Sequence, residues 1–155
     1  MIDGKQVERL LDGCFYAKKL TETLPPLPQG VQQRQNFVLQ EVYRITNRQG
    51  FCRVSDIAHA LNTSMPSITR MVGDLERRGF LRKKTDPRDK RVVLVELMAP
   101  GLLYVRRSHA FHQEWAENID GITEQDVETV IRALQKLRQA MPEKLPDLDD
   151  YEQND

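Results

Sequence analysis

Ser64, Ser67, Thr69 and Arg70 have the side-chain types and the spacing to meet a nucleic-acid groove. Short hydroxyls at the N-terminal end of a helix, next to its free amides, bind phosphate oxygens. An arginine just behind them can present parallel donors to guanine in a major groove. Further along, Arg88 stands in the segment TDPRDK with Lys90 and Arg91 close by. A narrow minor groove attracts arginine through its deeper negative potential, which makes Arg88 the first choice for insertion. Asp89 is near enough to pair with Arg91, so Arg91 has a mixed role, shaping the loop or touching DNA. Arg82, Lys83 and Lys84 supply charge for a phosphate backbone. Each residue has a plainer reading beside this one. Ser64 is a helix cap in any case, Ser67 and Thr69 are of types found on any helix surface, and a basic run is often only a solvated face.

The elements that must carry these residues follow from periodicity. Ile68, Met71, Val72 and Leu75 form an apolar stripe at helical spacing, which predicts a helix from about Met65 to Arg78. Ser64 caps it, Pro66 sits in its first turn, and Gly79 stands where a C-terminal glycine belongs. Just before it, Ser55 caps a shorter helix, Asp56 to Leu61, which Asn62-Thr63 ends. Phe80–Lys84 and Arg91–Leu97 read as two strands around an Asp-Pro turn, a hairpin with charged arms. Phe51–Val54 is short and β-leaning. Upstream, Val7, Leu10, Leu11, Cys14 and Phe15 predict an amphipathic helix over residues 3–20. The linker TETLPPLPQG follows, then a helix from Gln33 to Asn47 with Phe37, Val38, Leu39, Val42 and Ile45 on its apolar face and Gly50 as a left-handed cap. Downstream, residues 102–118 are helical. A last helix opens at Thr123 with Asp126 at its third position, and carries Val127, Val130, Ile131, Leu134 and Leu137 as its stripe. Pro142 and Pro146 prevent its continuation.

The predicted fold is therefore mainly α with a small β-wing, a winged helix-turn-helix with helices at both ends. Residues 1–32 are an N-terminal dimerisation helix and linker, 33–98 the DNA-binding domain, 99–140 the C-terminal dimerisation helices, and 141–155 an acidic, disordered tail. Pairing with a second copy suits the end helices, whose stripes need a partner, and two-fold dimers read palindromes. The alternative is that the stripes complete the core of one chain.

Composition bounds the rest. The net charge of zero hides an asymmetry: Cys52 to Val93 holds ten Lys and Arg against five acids, and Met141 to Asp155 six acids against one lysine. A basic patch on one pair of elements is the footprint of a nucleic-acid binder. No apolar run reaches membrane-spanning length and no signal peptide is apparent, which together predict a cytoplasmic protein. Cys14 and Cys52 are far apart and make no CxxC, as expected of reduced thiols. No nucleophile–base pair, phosphate loop or paired acids suggest an enzyme, and no cofactor is expected.

With these residues in view, the chain resembles the MarR family of transcriptional regulators. The likeness runs roughly from Phe37 to Gly101 and rests on SDIAHAL, on S-x-x-S-I-T-R-M-V-x-x-L-E-x-x-G-F-L and on D-P-R-D-K-R. It implies a homodimeric winged-helix protein on a palindromic double-stranded operator, usually a repressor that releases DNA on binding a small, commonly aromatic effector. It also implies DNA contacts by Ser64, Ser67, Thr69 and Arg70 in the recognition helix and by Arg88 and Arg91 in the wing. The chain departs from the family at Met98, where a threonine usually caps the next helix; Pro100 marks an alternative start.

Three further readings concern the signal. Cys14 and Phe15, with Tyr16 beside them, resemble the peroxide-sensing branch of the family, but no tyrosine occurs between Leu20 and Gln40 to hold a thiolate. An inert thiol is the plainer role for Cys14. His109 and His112 have a spacing that can share a metal, yet no closed ligand set accompanies them, and no metal site is assigned. A protein-interaction module with weak DNA binding is the alternative of a different class.

Overall fold

The computed structural model describes residues 1–25, 27 and 30–144 of the 155. The expected acidic tail therefore lies largely outside the described residues. Among the described residues the order is α1 (Gly4–Glu22), α2 (Gln33–Gln49), α3 (Val54–Ala60), α4 (Met65–Arg77), β1 (Leu81–Thr85), β2 (Val93–Leu97), α5 (Ala99–Glu117) and α6 (Glu124–Gln139). Contacts divide the chain into one compact unit up to Ala110 and a second from Phe111 onward.

The first unit is built around α2, α3, α4 and the hairpin. Val38, Leu39, Val42 and Ile45 of α2 pack with Ile57 of α3, with Ile68, Val72 and Leu75 of α4, and with Leu81 and Val95 of the strands. Each such side chain, fully withdrawn from water, stabilises the fold by roughly 1.5–3 kcal/mol before chain entropy is subtracted. Tyr104 and Val105 bring the start of α5 into the same core. Gly50 closes α2 with φ +84° and Gly79 follows α4 with φ +76°, the left-handed geometry expected of both.

The strands pair antiparallel, with Leu81 opposite Leu97, Lys83 opposite Val95 and Thr85 opposite Val93. Side chains alternate across a strand, so Leu81, Lys83 and Val95 share the face that meets the helices, whereas Arg82, Lys84 and Glu96 share the other. A further rung ties the hairpin to the approach of α3. The Val95 N–H donates to the Cys52 carbonyl at 2.8 Å, and Arg53 bridges to Leu94. This is how the β-leaning Phe51–Val54 segment is used.

Several expectations need correction. Helix α3 starts at Val54 with Arg53 as its N-cap, ahead of the expected Ser55, because Asp56 accepts the Arg53 N–H at 3.0 Å and closes the turn earlier. Ser64 does occupy the N-cap of α4, but its hydroxyl donates to Ser67 Oγ at 3.0 Å and makes no cap bond to the backbone. The buried face of α2 is less apolar than expected: Phe37 is half exposed, whereas Gln35, Asn36 and Gln40 are buried. They bond to one another and to distant partners. The Tyr104 hydroxyl and Gln40 Nε2 donate to Asn36 Oδ1, and Gln40 Oε1 meets His109 Nε2 at 3.0 Å. Helix α5 begins at Ala99 with Pro100 in its first turn, where the missing N–H removes nothing. At α6 the Thr123–Asp126 capping box forms as expected, and its hydrogen bonds hold the Asp126 carboxyl below the usual carboxylate range.

Gly101 sets how closely α5 approaches the hairpin. A Cβ there would lie 2.2 Å from the Phe80 carbonyl oxygen and 2.9 Å from Leu97 Cδ2. Backbone cannot yield as a flexible side chain can, so Gly101→Ala is expected to destabilise the first unit by about 1–3 kcal/mol, a typical overpacking cost. Chemical denaturation of the variant beside the unaltered protein tests this, and equal midpoints would refute the close approach.

Candidate nucleic-acid interface

The apolar stripe of α4 decides which residues of that helix reach solvent. With Ile68, Val72 and Leu75 buried, Ser64, Ser67, Thr69 and Arg70 are all exposed. Thr69 and Arg70 share a shallow surface with Met65, Pro66, Gly73, Asp74 and Arg77. The expected hydroxyls and arginine thus all reach solvent, with Thr69 and Arg70 on one shallow surface.

The wing tip is held by its own aspartates. Asp86 Oδ1 accepts the Arg88 N–H at 2.8 Å, and Asp89 Oδ1 accepts the Arg91 N–H at 3.0 Å. Two backbone bonds, Asp86 N–H to Val92 O and Val92 N–H to Asp89 O, complete the loop. Arg91 also donates through Nε to Asp89 Oδ1 at 3.2 Å. These bonds from the Arg91 backbone and side chain keep the Asp89 carboxyl below its ordinary range. The shaping role foreseen for Arg91 is therefore formed.

Ion pairing sorts the basic residues of this region. Arg82 and Lys84 both pair with Glu96 on the outer face of the hairpin, and the hydrogen bond from Arg82 is the main cause that lowers the Glu96 carboxyl's pKa. Lys83 pairs with Glu76 of α4 at 2.8 Å, and its N–H donates to the same carboxylate. Arg77 pairs with Asp74. Arg78 donates to the buried Gln35 Oε1 at 3.2 Å and lies over the Phe80 ring. Such exposed pairs add little stability, typically up to about 1 kcal/mol, but they orient and neutralise their cations. Among the described residues, Arg53, Arg70, Arg88 and Lys90 have no carboxylate within ion-pair distance. Glu96, Glu76 and Arg53 were not singled out from the sequence. The strand alternation that puts Glu96 beside Arg82 depends on the register, which the sequence leaves open.

The residues considered for sensing lie elsewhere. Cys14 is partly exposed on α1, a helix with no buried residue. Cys52 is buried and its thiol is pushed up to about 12, chiefly by burial and then by the charges of Asp56 and Glu41. His109 is engaged with Gln40 and lies edge-on to Tyr43, while His112 lies against Phe111. The described residues hold no cluster of three or more metal-ligating side chains.

Comparison with known proteins places this geometry. Residues 39–93 match the model of the MarR family. The uncharacterised HTH-type transcriptional regulator YfiV of Bacillus subtilis is 29% identical over 84 residues, which are 54% of this chain. The matched part spans about half, 52%, of that relative's length. FabT of Streptococcus pneumoniae, solved in complex with DNA, is 20% identical with a TM-score of 0.65, covering 88% of this chain and 96% of that one. MepR of S. aureus, also in a DNA complex, is 18% identical at TM-score 0.60, covering 92% and 100%. BpsR of Bordetella bronchiseptica, whose DNA binding is regulated by 6-hydroxynicotinic acid, is 22% identical at TM-score 0.60, covering 86% and 98%. At these identities the solved structures establish the fold, a winged helix with mainly α structure.

Three outcomes are expected from these pairings and from the buried thiol. Glu96→Gln frees Arg82 and Lys84, so binding to duplex DNA should strengthen and its log–log salt dependence steepen by about 1–2. An unchanged slope in a fluorescence titration would show that the pairs do not restrain these cations. At pH 8, iodoacetamide should label Cys14 and leave Cys52 unmodified by intact-mass analysis, since thiolate is the reactive form. The raised thiol pKa also costs stability in alkali. Above about pH 9 the unfolded thiol ionises while the buried one does not, so stability falls as pH rises from there toward 12.

Proposed function

We propose that the chain, whose residues 39–93 match the MarR family model, is a homodimeric, ligand-responsive transcriptional repressor of a palindromic operator. The distribution of unpaired charge carries this reading. Among the described residues, Arg70 on the exposed side of α4 and Arg88 and Lys90 on the wing have no carboxylate partner, and several of the remaining cations are neutralised by neighbours. Ser64, Ser67, Thr69 and Arg70 enter the major groove in this reading, and Arg88 the adjacent minor groove. Arg82, Lys84 and Arg91 have secondary roles at the backbone, because each already holds a carboxylate.

Dimerisation is supported by the apolar side chains that each unit leaves uncovered. Leu11, Phe15 and Leu20 of α1 are half exposed, as are Val127, Val130, Ile131 and Leu134 of α6. Apolar stripes of this extent mark an interaction surface. An aromatic effector is proposed by analogy with BpsR, whose DNA binding responds to 6-hydroxynicotinic acid. No helix among the described residues is long and apolar enough to cross a membrane. Cytoplasmic localisation and the absence of enzyme activity belong to the same proposal.

Binding to duplex taken from the chain's own upstream region tests it. Affinity should fall steeply with salt, because several phosphates are neutralised in each half-site. Arg88→Ala and Arg70→Ala should each weaken binding by about 10-fold or more while melting like the unaltered protein, a loss typical of one good base contact. Arg88→Ala with full affinity would remove the wing from the interface. Absence of salt-dependent binding altogether would favour a protein-interaction module.

A further inference from the structure

Arg53 brings an uncommitted guanidinium to the edge of this surface. It stands at the N-cap of α3, where an arginine offers no acceptor to the helix amides. Its backbone is pinned from two sides. The N–H donates to Asp56 Oδ2 at 3.0 Å, and the residue bridges to Leu94 of β2. The guanidinium lies over the Phe51 ring, 4.9 Å from its centroid, a stacking that fixes direction and leaves the charge unneutralised. The Nε atom is out of water and has no hydrogen-bond partner among the described residues. A buried donor without an acceptor is costly, so an incoming anion that draws on the guanidinium meets capacity the free protein leaves unspent.

Arg53 also lines a concavity of about 600 Å³ between α3, α4 and the wing. Ser55 enters it from α3, Thr69 from α4, Lys83 from β1 and Arg91 from the wing loop, around an apolar wall that includes Val72. Three cations and two hydroxyls from four elements therefore converge on one hollow. Glu76 already balances Lys83 and Asp89 balances Arg91, so Arg53 is the lining charge with no carboxylate partner among the described residues. A sugar-phosphate unit matches that lining, its deoxyribose against the apolar wall and its oxygens toward the donors. The first helix of a helix-turn-helix crosses the DNA backbone, which is where α3 carries Arg53.

We propose that Arg53 is a backbone-phosphate ligand, seating one sugar-phosphate unit of the strand that runs between the recognition helix and the wing. This rests on the DNA-binding reading above. The contact sets register and orientation and carries no base information.

The test uses the full chain and a duplex it binds, titrated over a series of salt concentrations. Arg53→Ala should weaken binding by a similar factor, about 10-fold, on operator and unrelated duplex alike, and lower the log–log salt slope by about 0.9, the value for one phosphate contact. Arg53→Lys should recover the slope but only part of the affinity, because the stacked fork is lost. Operators carrying single methylphosphonates complete the experiment: one neutralised phosphate should cost the unaltered protein affinity and cost Arg53→Ala nothing. Thermal melting checks folding, and if Arg53→Ala melts early, Arg53→Lys and the methylphosphonate series on the unaltered protein decide. Wild-type slope and affinity in Arg53→Ala overturn the inference, as does a methylphosphonate series that penalises both proteins equally. Inorganic phosphate that displaces DNA from the unaltered protein beyond chloride of equal ionic strength, with the slope of Arg53→Ala unchanged, makes the hollow a small-anion site and also overturns it. If the unaltered protein binds no duplex in a salt-dependent way, the DNA reading falls and takes this inference with it; binding with an indifferent Arg53→Ala removes this inference alone.

Discussion

The burial of Ile68, Val72 and Leu75 against α2 is the constraint on which the rest of the first unit depends. Once that stripe faces inward, the rotation of α4 about its axis is set. Ser67, Thr69 and Arg70 then have nowhere to go but outward. The same core takes Leu81 and Val95 from the hairpin, so the wing's inner face is chosen by the apolar contacts that orient the helix. Helix α4 and the wing are therefore two projections of one packed body. A change in that packing would move both.

A second layer of organisation is polar. Asn36 and Gln40 are buried on α2 and are satisfied by Tyr104 and His109 of α5, while Gln35 receives Arg78 from the end of α4. Burial raises the pKa of the Tyr104 phenol, which keeps it a neutral donor to Asn36. A buried network is stabilising only when its members are all met, and this one joins three elements at defined distances. It ties the helix that bears the candidate contacts to the start of α5 through directional bonds, whereas apolar packing alone would tolerate sliding.

Charge on the surface is arranged by subtraction. The middle of the chain is strongly basic, yet Glu76, Asp74, Asp89 and Glu96 each take one or two cations out of play. Among the described residues of this region, the cations left without a carboxylate lie at the start of α3, on α4 and at the wing tip. A count of lysines and arginines finds the region, and ion pairing selects within it. That selection explains why Arg82 and Lys84, natural candidates by charge, rank below Arg70 and Arg88.

The sequence by itself determined the elements and the order in which they occur. Helical stripes, proline and glycine positions and the Thr123–Asp126 box are local signals, and each element depends on residues a few places apart. The candidate contacts on α4 and at the wing tip were legible for the same reason. Only the tertiary structure decided which cations stay free among the described residues, that Phe37 faces solvent while Gln40 does not, and that Gly101 must lie against Phe80. Each of these turns on strand register or on the packing of residues distant in the chain. Local periodicity says which face of an element is apolar, and only the assembled core says which partner it meets.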